Sequence, residues 1–331
     1  MRMSRPFVAL SIAAMGAVLM GGCGRHSSSE HFYLVSANIK LPYWQSAAAG
    51  LDKVAAQYHV HADLRGPDTF DPQAQVEEFR AVVAQKPTGI LVSVVDPKLM
   101  VPEIDAAADA GIPVITVDSD APESRRLFFI GTNNREAGRL GGQRLLEKLH
   151  GTGNVVFFTN AGQPNLDERL GGYQDAIASQ PGVHIAQVID IHGQATVAFD
   201  QTQALLAKTG KDKVDAFVCL EASAGKEVGE VLRRANASDR TLIAMDVDKD
   251  TLDLVKQGVI TATVAQKPFT MAYVGVKMLD MLYHDPLPSL TKVYATDPYA
   301  PIPAFIDTGS ALVDASNVDQ YLQAQQGAPS Q

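Results

Sequence analysis

Uncharged apolar runs alternate with longer amphipathic stretches along most of the chain, and this alternation restricts the fold more than any other feature. Runs that are rich in β-branched residues and free of charge are typical of strands covered on both faces of a parallel sheet. Parallel strands need a crossover connection, which is usually a helix. The apolar runs cover residues 32–37, 89–95, 113–117, 155–159, 216–220 and 241–245.

The spacing of these runs indicates repeated strand–helix units. The strand starts near residues 31, 59, 89 and 113 are 28, 30 and 24 residues apart, which is the length of one strand and one helix. Asp71-Pro72 and Asp96-Pro97 are helix start signals, a capping carboxylate followed by proline. The rhythm repeats between residues 154 and 266. We therefore predict an α/β protein with two parallel sheets, each flanked by helices.

Composition sets limits on partners and covalent chemistry. The 331 residues are 46% apolar and 20% charged, as in folded globular proteins, and their number suits about two domains. Asp and Glu outnumber Lys and Arg by 37 to 28, and the net charge is −9. Phosphate contacts need a basic surface, so this charge argues against nucleic acid as a partner. Two cysteines, Cys23 and Cys219, are too few for a disulfide framework or a zinc ribbon.

Residues 1–22 have the features of a secretory signal peptide. Two arginines precede an uncharged run over residues 7–20, which is shorter than the ~20 residues that cross a bilayer. Two glycines then precede Cys23, an order that resembles the bacterial lipobox, in which the cysteine is lipidated. We predict an exported protein, periplasmic or on the outer face of a membrane, anchored through Cys23, with residues 23–30 as a flexible tether. The alternative is a secreted protein without lipid. With Cys23 lipidated, Cys219 is expected to be a buried free thiol.

The candidate binding residues follow the predicted strands. Ligands of open α/β sheets bind outside the carboxyl ends of the strands, so side chains at those ends are the candidates. We expect Asp120, two residues after Asp118, to have a structural role instead. The candidates are Asn38, Tyr43, Trp44, Ser93, Asp118, Ser119, Arg169, Glu221, Asp246 and Gln266.

Catalytic motifs are missing from the sequence. It has no G-x-S-x-G, no H-E-x-x-H, no complete P-loop and no dinucleotide fingerprint. His59 and His61 alternate to one face of a strand and offer two metal ligands at best. We therefore expect no catalytic residue, no cofactor and no metal site.

Four segments of the chain are specific enough to compare with a known family: GIPVITVDSDAP, IGTNNREAGRLGG, DERLGGYQDAI and ATVAQKP. They resemble segments of the type I periplasmic substrate-binding proteins, close to the ribose-binding group, and the resemblance runs from about residue 32 to the C-terminus. The resemblance implies two lobes joined by three hinge strands with the ligand between them, and it assigns ligand contacts to Asp118, Arg169, Asp246 and Gln266. Ser119 and Leu220 replace an arginine and an asparagine of ribose binders, which argues against ribose itself.

The resemblance also predicts the limits of the lobes. The first lobe would comprise residues 31–132 and 267–293, and the second lobe residues 133–266 and 294–323. The chain would cross between lobes near Thr132, near Gln266 and at 294–299, and residues 324–331 would form a flexible tail.

The function implied is that of a monomeric solute receptor without enzymatic activity. It would bind a monosaccharide or related polyol and deliver it to an inner-membrane ABC transporter permease. The excess of carboxylates at the site also permits a positively charged ligand such as an amino sugar. Two alternatives are a sensing subunit for a membrane kinase or chemoreceptor, and a hydrolase that uses Asp118 and Glu221 as an acid–base pair.

Overall fold

The computed structural model describes residues 26–326, which form two lobes that are each built on a six-stranded sheet. The elements in chain order are β1 (His31–Val35), α1 (Pro42–Tyr58), β2 (His61–Arg65), α2 (Pro72–Ala84), β3 (Gly89–Val92), α3 (Pro97–Asp109), β4 (Val114–Val117), β5 (Phe129–Gly131), α4 (Asn134–Leu149), β6 (Gly153–Thr159), α5 (Pro164–Ile177), β7 (Val183–Asp190), α6 (Ala195–Leu206), β8 (Ala216–Cys219), α7 (Ala224–Arg234), β9 (Thr241–Met245), α8 (Lys249–Lys256), β10 (Ala262–Ala265), α9 (Pro268–His284), β11 (Phe305–Asp307), β12 (Ala311–Val313) and α10 (Val318–Gln326).

The two sheets have the same arrangement. The strand order is β11-β5-β4-β3-β1-β2 in the first lobe and β12-β10-β9-β8-β6-β7 in the second. Every pair is parallel except β10 with β12. The predicted α/β class with two mostly parallel sheets is therefore confirmed. The capping signals also hold, since the Asp71 side chain accepts hydrogen bonds from two amides at the start of α2, and Asp96 accepts one from Lys98.

Each sheet is covered by a hydrophobic layer on both faces. Along β1, Phe32 and Leu34 pack into one layer of the first lobe, whereas Tyr33 and Val35 pack into the other. The strands of the second lobe alternate in the same way. This two-sided burial explains why the strands are continuous apolar runs in the sequence. Cys219, in β8, is buried and free as predicted, and burial raises the pKa of its thiol.

The third passage between the lobes lies later in the chain than the sequence indicated. β11 pairs with β5 in the first sheet, and Tyr294 and Ile302 pack into the core of the first lobe. The chain therefore crosses between Asp307 and Ala311, and the predicted start of the last second-lobe segment at residue 294 is wrong. β11 has only three residues and a partly exposed pattern, so no apolar run marks it. The Phe305 ring stacks on that of Phe129 at 5.2 Å.

Parts of both predicted flexible ends are ordered against the rest of the chain. Residues 26–30 pack against the first lobe, where the His26 ring stacks on the ring of Tyr58 at 4.2 Å and Glu30 is 2% exposed. At the other end, α10 extends to Gln326, into the predicted tail. Cys23, the predicted signal peptide and residues 327–331 lie outside the described residues. Within residues 26–326, no helix has both the length and the apolar character to cross a membrane.

Helices α4 and α5 pack against each other with their backbones in contact. A Cβ atom on Gly138 would lie 2.0 Å from the carbonyl oxygen of Arg169, and one on Gly172 would lie 2.0 Å from that of Arg135. Side chains cannot occupy such distances, so both positions need glycine. This contact fixes the first turns of α5, which carry Arg169, against the start of α4.

Candidate functional site

A cavity of about 260 Å³ lies between the lobes at the carboxyl ends of both sheets, somewhat smaller than the ~300–1,000 Å³ of most ligand pockets. A second cavity of about 480 Å³ adjoins it and shares Tyr43, Asp246 and Gln266. The smaller cavity is the candidate site because buried polar side chains of both lobes converge on it. Its lining residues are Ala37, Asn38, Leu41, Tyr43, Trp44, Phe70, Asp118, Asn160, Gln163, Asn165, Leu166, Arg169, Gly193, Ala195, Glu221, Ala222, Ser223, Asp246 and Gln266.

Two carboxylates occupy equivalent positions in the two lobes. Asp118 follows β4 and Asp246 follows β9, and these strands have the same place in their sheets. Both residues have left-handed backbones, with φ of 62° and 68°. Their amides donate to the next strand, to the oxygen of Ile130 at 3.0 Å and of Val264 at 2.9 Å. This conformation costs a non-glycine residue ~1–3 kcal/mol and is common at binding sites.

The Asp118 carboxylate accepts hydrogen bonds from both lobes. Within the first lobe it accepts from the Tyr43 hydroxyl at 2.6 Å and from the Ser93 hydroxyl at 2.9 Å. From the second lobe it accepts from the Asn165 amide at 3.3 Å. Burial raises the pKa of Asp118, although these donors and the Arg169 charge favour its ionised form. The bond to Asn165 shows that the lobes are closed on each other.

Arg169 is the largest side chain that is almost fully buried, at 1% exposure. Its guanidinium donates to the Leu220 carbonyl, to the Asn134 side-chain oxygen at 2.7 Å and to the Gln266 side-chain oxygen at 3.2 Å. Its Nε has no hydrogen-bond partner among the described residues. A guanidinium held in this way presents a fixed positive charge to the carboxylates around the cavity.

Asp246 is a buried acid near its titration point. Burial raises its pKa to about 7, against the stabilising effects of the Arg169 charge and of the Gln266 amide, which donates to it at 3.0 Å. At neutral pH this carboxyl can therefore accept a hydrogen bond as the anion or donate one as the acid. Gln266 also accepts from the Thr132 hydroxyl at 3.0 Å, and residues 132 and 266 lie where the chain passes between the lobes.

Comparison with known proteins identifies the family. Residues 32–284 match the model of the periplasmic binding protein domain. The chain belongs to the periplasmic binding protein family. It is similar to a sugar ABC transporter sugar-binding protein from Bacillus halodurans, with 32% identity, a TM-score of 0.75 and coverage of 88% of this chain and 99% of that one.

Two further relatives bind pentoses, according to their names. One is the structure of AraP, an arabinose-binding protein from Geobacillus stearothermophilus, which is 30% identical and has a TM-score of 0.73. The match covers 88% of this chain and 99% of that one. The other is the xylose/arabinose-binding protein XylF of Sulfolobus acidocaldarius, which is 25% identical over 86% of this chain and 70% of its own length. The family resemblance expected from the sequence is confirmed.

In this periplasmic binding protein, eight of the ten candidate residues line the cavity. Ser93 and Ser119 do not. Ser93 lies behind the site and supports Asp118, whereas the Ser119 hydroxyl is fully buried with no partner among the described residues. Asp120 accepts two hydrogen bonds from Arg126, consistent with the structural role expected for it.

Glu221 lines the cavity, but its carboxylate is engaged locally. Its two oxygens accept hydrogen bonds from the Ser223 amide at 2.8 Å, the Ser223 hydroxyl at 3.0 Å and the Ala224 amide at 2.6 Å. These contacts stabilise the start of α7. Burial raises the pKa of Glu221 despite them.

The sequence analysis missed five polar or aromatic residues of the cavity: Phe70, Asn160, Gln163, Asn165 and Ser223. Asn160 directly follows β6, so the strand-end rule that found Asp118 would have found it as well. Asn165 is the second residue of α5, and its role depends on closure, because its partner belongs to the other lobe. Phe70 meets Gly193 of the second lobe, where an added Cβ would lie 2.2 Å from the Cβ of Phe70.

Proposed function

We propose that this protein is an exported receptor that binds a monosaccharide, or a related polyol, between its two lobes. The observation that carries the proposal is the cavity of about 260 Å³ between the lobes, in which two buried carboxyls, a guanidinium and amides from both lobes converge. Sugar hydroxyls both donate and accept. Asp118 and Asp246 accept from them, and Arg169 and Gln266 supply donors, as charge-assisted bonds in the case of the ions.

Closure of the lobes would be linked to binding. Asp118 and Tyr43 belong to the first lobe, and Arg169 and Asp246 to the second, so a single ligand contacts both sets only in the closed state. A ligand favours a state by its difference in affinity for the two states. The sugar therefore shifts the protein towards the closed form, which differs in shape from the empty receptor.

We infer that the closed form delivers its sugar to an ABC transporter permease in the membrane. The similarity to a protein named as part of a sugar ABC transporter supports this. The alternative partner is a membrane kinase or chemoreceptor, for which the same cleft would act as a sensor. Cross-linking in intact membranes with and without sugar, followed by identification of the captured protein, separates the two.

Arabinose and xylose are the first ligands to test, because relatives with 25–30% identity are named for them. Trp44 is the single tryptophan, lines the cavity and packs edge-on against Tyr43 with ring centroids 5.0 Å apart, so its fluorescence reports on the site. We would titrate the purified protein with arabinose, xylose, ribose, allose, inositols and amino sugars. A saturable change, confirmed by calorimetry, is expected with at least one of them.

The double variant Arg169→Ala/Asp246→Ala tests the assignment of the site. We expect it to lose sugar binding by at least ~100-fold, since each deleted charge supports bonds of ~1.5–3 kcal/mol. The matched control is Arg135→Ala/Asp175→Ala, which removes the same residue types from a partly exposed pair in the same lobe. Equal affinity of wild type and the site variant would refute the site. Recovery of unaltered sugar after long incubation separates a receptor from a hydrolase.

A further inference from the structure

Two histidines and two acids meet at the end of α9, on the first lobe and away from the sugar cleft. His26, in the segment before β1, places its Nε2 3.2 Å from Asp280 Oδ2. His284 Nε2 lies 3.5 Å from Asp280 Oδ1 and 3.3 Å from Glu30 Oε2. The candidate atoms of His26, Asp280 and His284 all lie within 4.8 Å of one another.

The hydrogen bonds within this group are incomplete. Asp280 is 5% exposed, yet its Oδ1 has no hydrogen-bond partner among the described residues. A single hydrogen on His284 Nε2 faces two carboxylate oxygens, one from Glu30 and one from Asp280. Glu30 is 2% exposed and uses its other oxygen to accept from the Ser27 amide at 2.7 Å. A cation between the two histidine rings could contact both the Asp280 and the Glu30 oxygens, whereas the single hydrogen on His284 Nε2 can be donated to only one of them.

The ligand types and the closeness of their atoms suit a transition-metal ion. Ligand atoms bonded to such an ion at ~2.0–2.2 Å lie roughly 3.3–3.6 Å apart. His26 lies 3.2 Å from one oxygen of Asp280, and His284 lies 3.5 Å from the other and 3.3 Å from Glu30, so small side-chain rotations would bring one atom of each residue to a shared ion. Two imidazoles and carboxylates are a common zinc set, whereas Ca²⁺ and Mg²⁺ prefer oxygen ligands alone. Asp280 and His284 are spaced four residues apart on one helix, which brings them to the same face.

We propose that His26, Asp280 and His284, with Glu30 as the fourth ligand, bind a zinc-type divalent transition-metal ion. The composition of the group supports this, because two buried acidic side chains face two imidazoles, and a divalent cation can accept all four as ligands. The ion would fasten residues 26–30 to the C-terminal end of α9. It would thereby fix the direction in which the chain leaves the first lobe towards Cys23.

Zinc binding to the purified full chain without a polyhistidine tag tests the proposal. A competition titration with a chromophoric chelator is expected to give one Zn²⁺ per chain for wild type. Loss of an outer-shell partner weakens a metal site by ~10–100-fold, so deletion of a direct ligand in His26→Ala or His284→Ala is expected to weaken it by at least ~100-fold. His61→Ala is the matched control, since His61 is an exposed histidine on β2 of the same lobe.

Two readouts keep the test independent of folding. Circular dichroism in chelator shows whether each variant is folded, and His26→Ala changes a residue outside every helix and strand. Amide exchange of Glu30, whose N–H donates to the Ser27 carbonyl at 2.9 Å, is expected to slow with Zn²⁺ in wild type and not in His26→Ala. Absence of zinc binding in wild type, or equal affinity in all four proteins, would overturn the proposal. Loss of binding in His61→Ala alone would also overturn it, because the ion would then bind elsewhere.

Discussion

The side-chain amide of Asn165 donates a 3.3 Å hydrogen bond to the Asp118 carboxylate, and this bond joins the two lobes across the cleft. Both residues are buried, at 5% exposure each. Under the proposed function, the sugar and the closing contact would therefore use the same carboxylate. A change at Asn165 should alter closure without altering the first-lobe donors of Asp118, Tyr43 and Ser93.

Asn165→Asp is predicted to hold the cleft open. It replaces a donor by a second carboxylate about as far from Asp118, and like charges at that distance repel. We expect sugar affinity to fall by at least tenfold, which is ~1.4 kcal/mol. Small-angle scattering in saturating sugar should show a larger radius of gyration than wild type. Asn236→Asp, which adds the same charge at an exposed site of the second lobe, should change neither quantity. A compact, tightly binding Asn165→Asp protein would contradict the closing role of this bond.

Asp246→Asn is predicted to change how stability depends on pH. The pKa of Asp246 is raised from 3.8 to about 7 in the folded state, so between these values the folded protein binds more protons than the unfolded chain. Titration of Asp246 therefore lowers the free energy of unfolding of wild type as pH rises from 4 to 7, and above pH 7 its effect is constant.

Urea unfolding at pH 4 and pH 8 checks this. The difference in the free energy of unfolding, Asp246→Asn minus wild type, should be more positive at pH 8 than at pH 4 by of order 1–4 kcal/mol, since one pKa unit corresponds to ~1.4 kcal/mol. Asp200→Asn, at an exposed position of α6, should show no such difference. A difference in the free energy of unfolding that is the same at both pH values would contradict the raised pKa of Asp246.

Tyr43→Phe is predicted to weaken the site from within the first lobe. It removes the 2.6 Å donor to Asp118 and leaves a buried carboxylate less well satisfied. A bond to a charged group contributes ~1.5–3 kcal/mol, so we expect calorimetry to show at least tenfold weaker sugar binding. The control is Tyr273→Phe, which deletes an exposed hydroxyl that donates to Gln57 at 2.7 Å. Equal losses in both variants would argue against a specific role of Tyr43.

Gly172→Ala and Gly171→Ala should have opposite effects, although the residues are neighbours in α5. The new methyl at position 172 would lie 2.0 Å from a backbone oxygen of α4, and such overpacking costs ~1–3 kcal/mol or more. At position 171 the nearest atom is the end of the flexible Arg135 side chain, at 2.9 Å, and alanine favours a helix by ~1 kcal/mol. Thermal unfolding of both variants measures the difference. A stable Gly172→Ala protein would show that α4 and α5 can separate.

Cys23→Ser is predicted to release the protein from membranes. Lipid on Cys23 would be its anchor, so wild type should sediment with membranes and dissolve in detergent, whereas the variant should stay soluble. Cys219→Ser is the control, because the other cysteine is buried in the second lobe. Equal sedimentation of wild type and Cys23→Ser would contradict lipidation.

The strands and the carboxylates that follow them could be predicted because one local rule governs both. A strand that is buried on two faces is an apolar run in the sequence. The first residue after the carboxyl end of such a strand lies at the edge of the sheet that faces the cleft between the lobes. Asp118 and Asp246 were found in this way. Ser119 lies one residue further along, and its side chain is fully buried, since successive residues after a strand point in different directions.

Contacts that depend on distant parts of the chain left no local signal. β11 is three residues long and forms a strand because it pairs with β5 at the edge of the first sheet. His26 lies within residues 23–30, which the sequence predicted to be a tether, and only the fold shows Tyr58 and Asp280 beside it. Asn165 likewise acquires its partner when the lobes close.

The glycine contacts between α4 and α5 also determine where affinity can be adjusted. They hold Arg169 against Asn134 by contacts within the second lobe alone, so the second-lobe half of the proposed site would be assembled before a sugar binds. Under the proposed function, binding would order few side chains, and the main entropic cost would come from restricting the rotation of one lobe relative to the other. In such a receptor the three connecting segments would set the free energy of closing the lobes, which adds to the free energy of the ligand contacts. Changes near Thr132 or Gly309, which do not line the cavity, should therefore adjust binding strength for every sugar alike, whereas sugar preference would depend on the cavity walls.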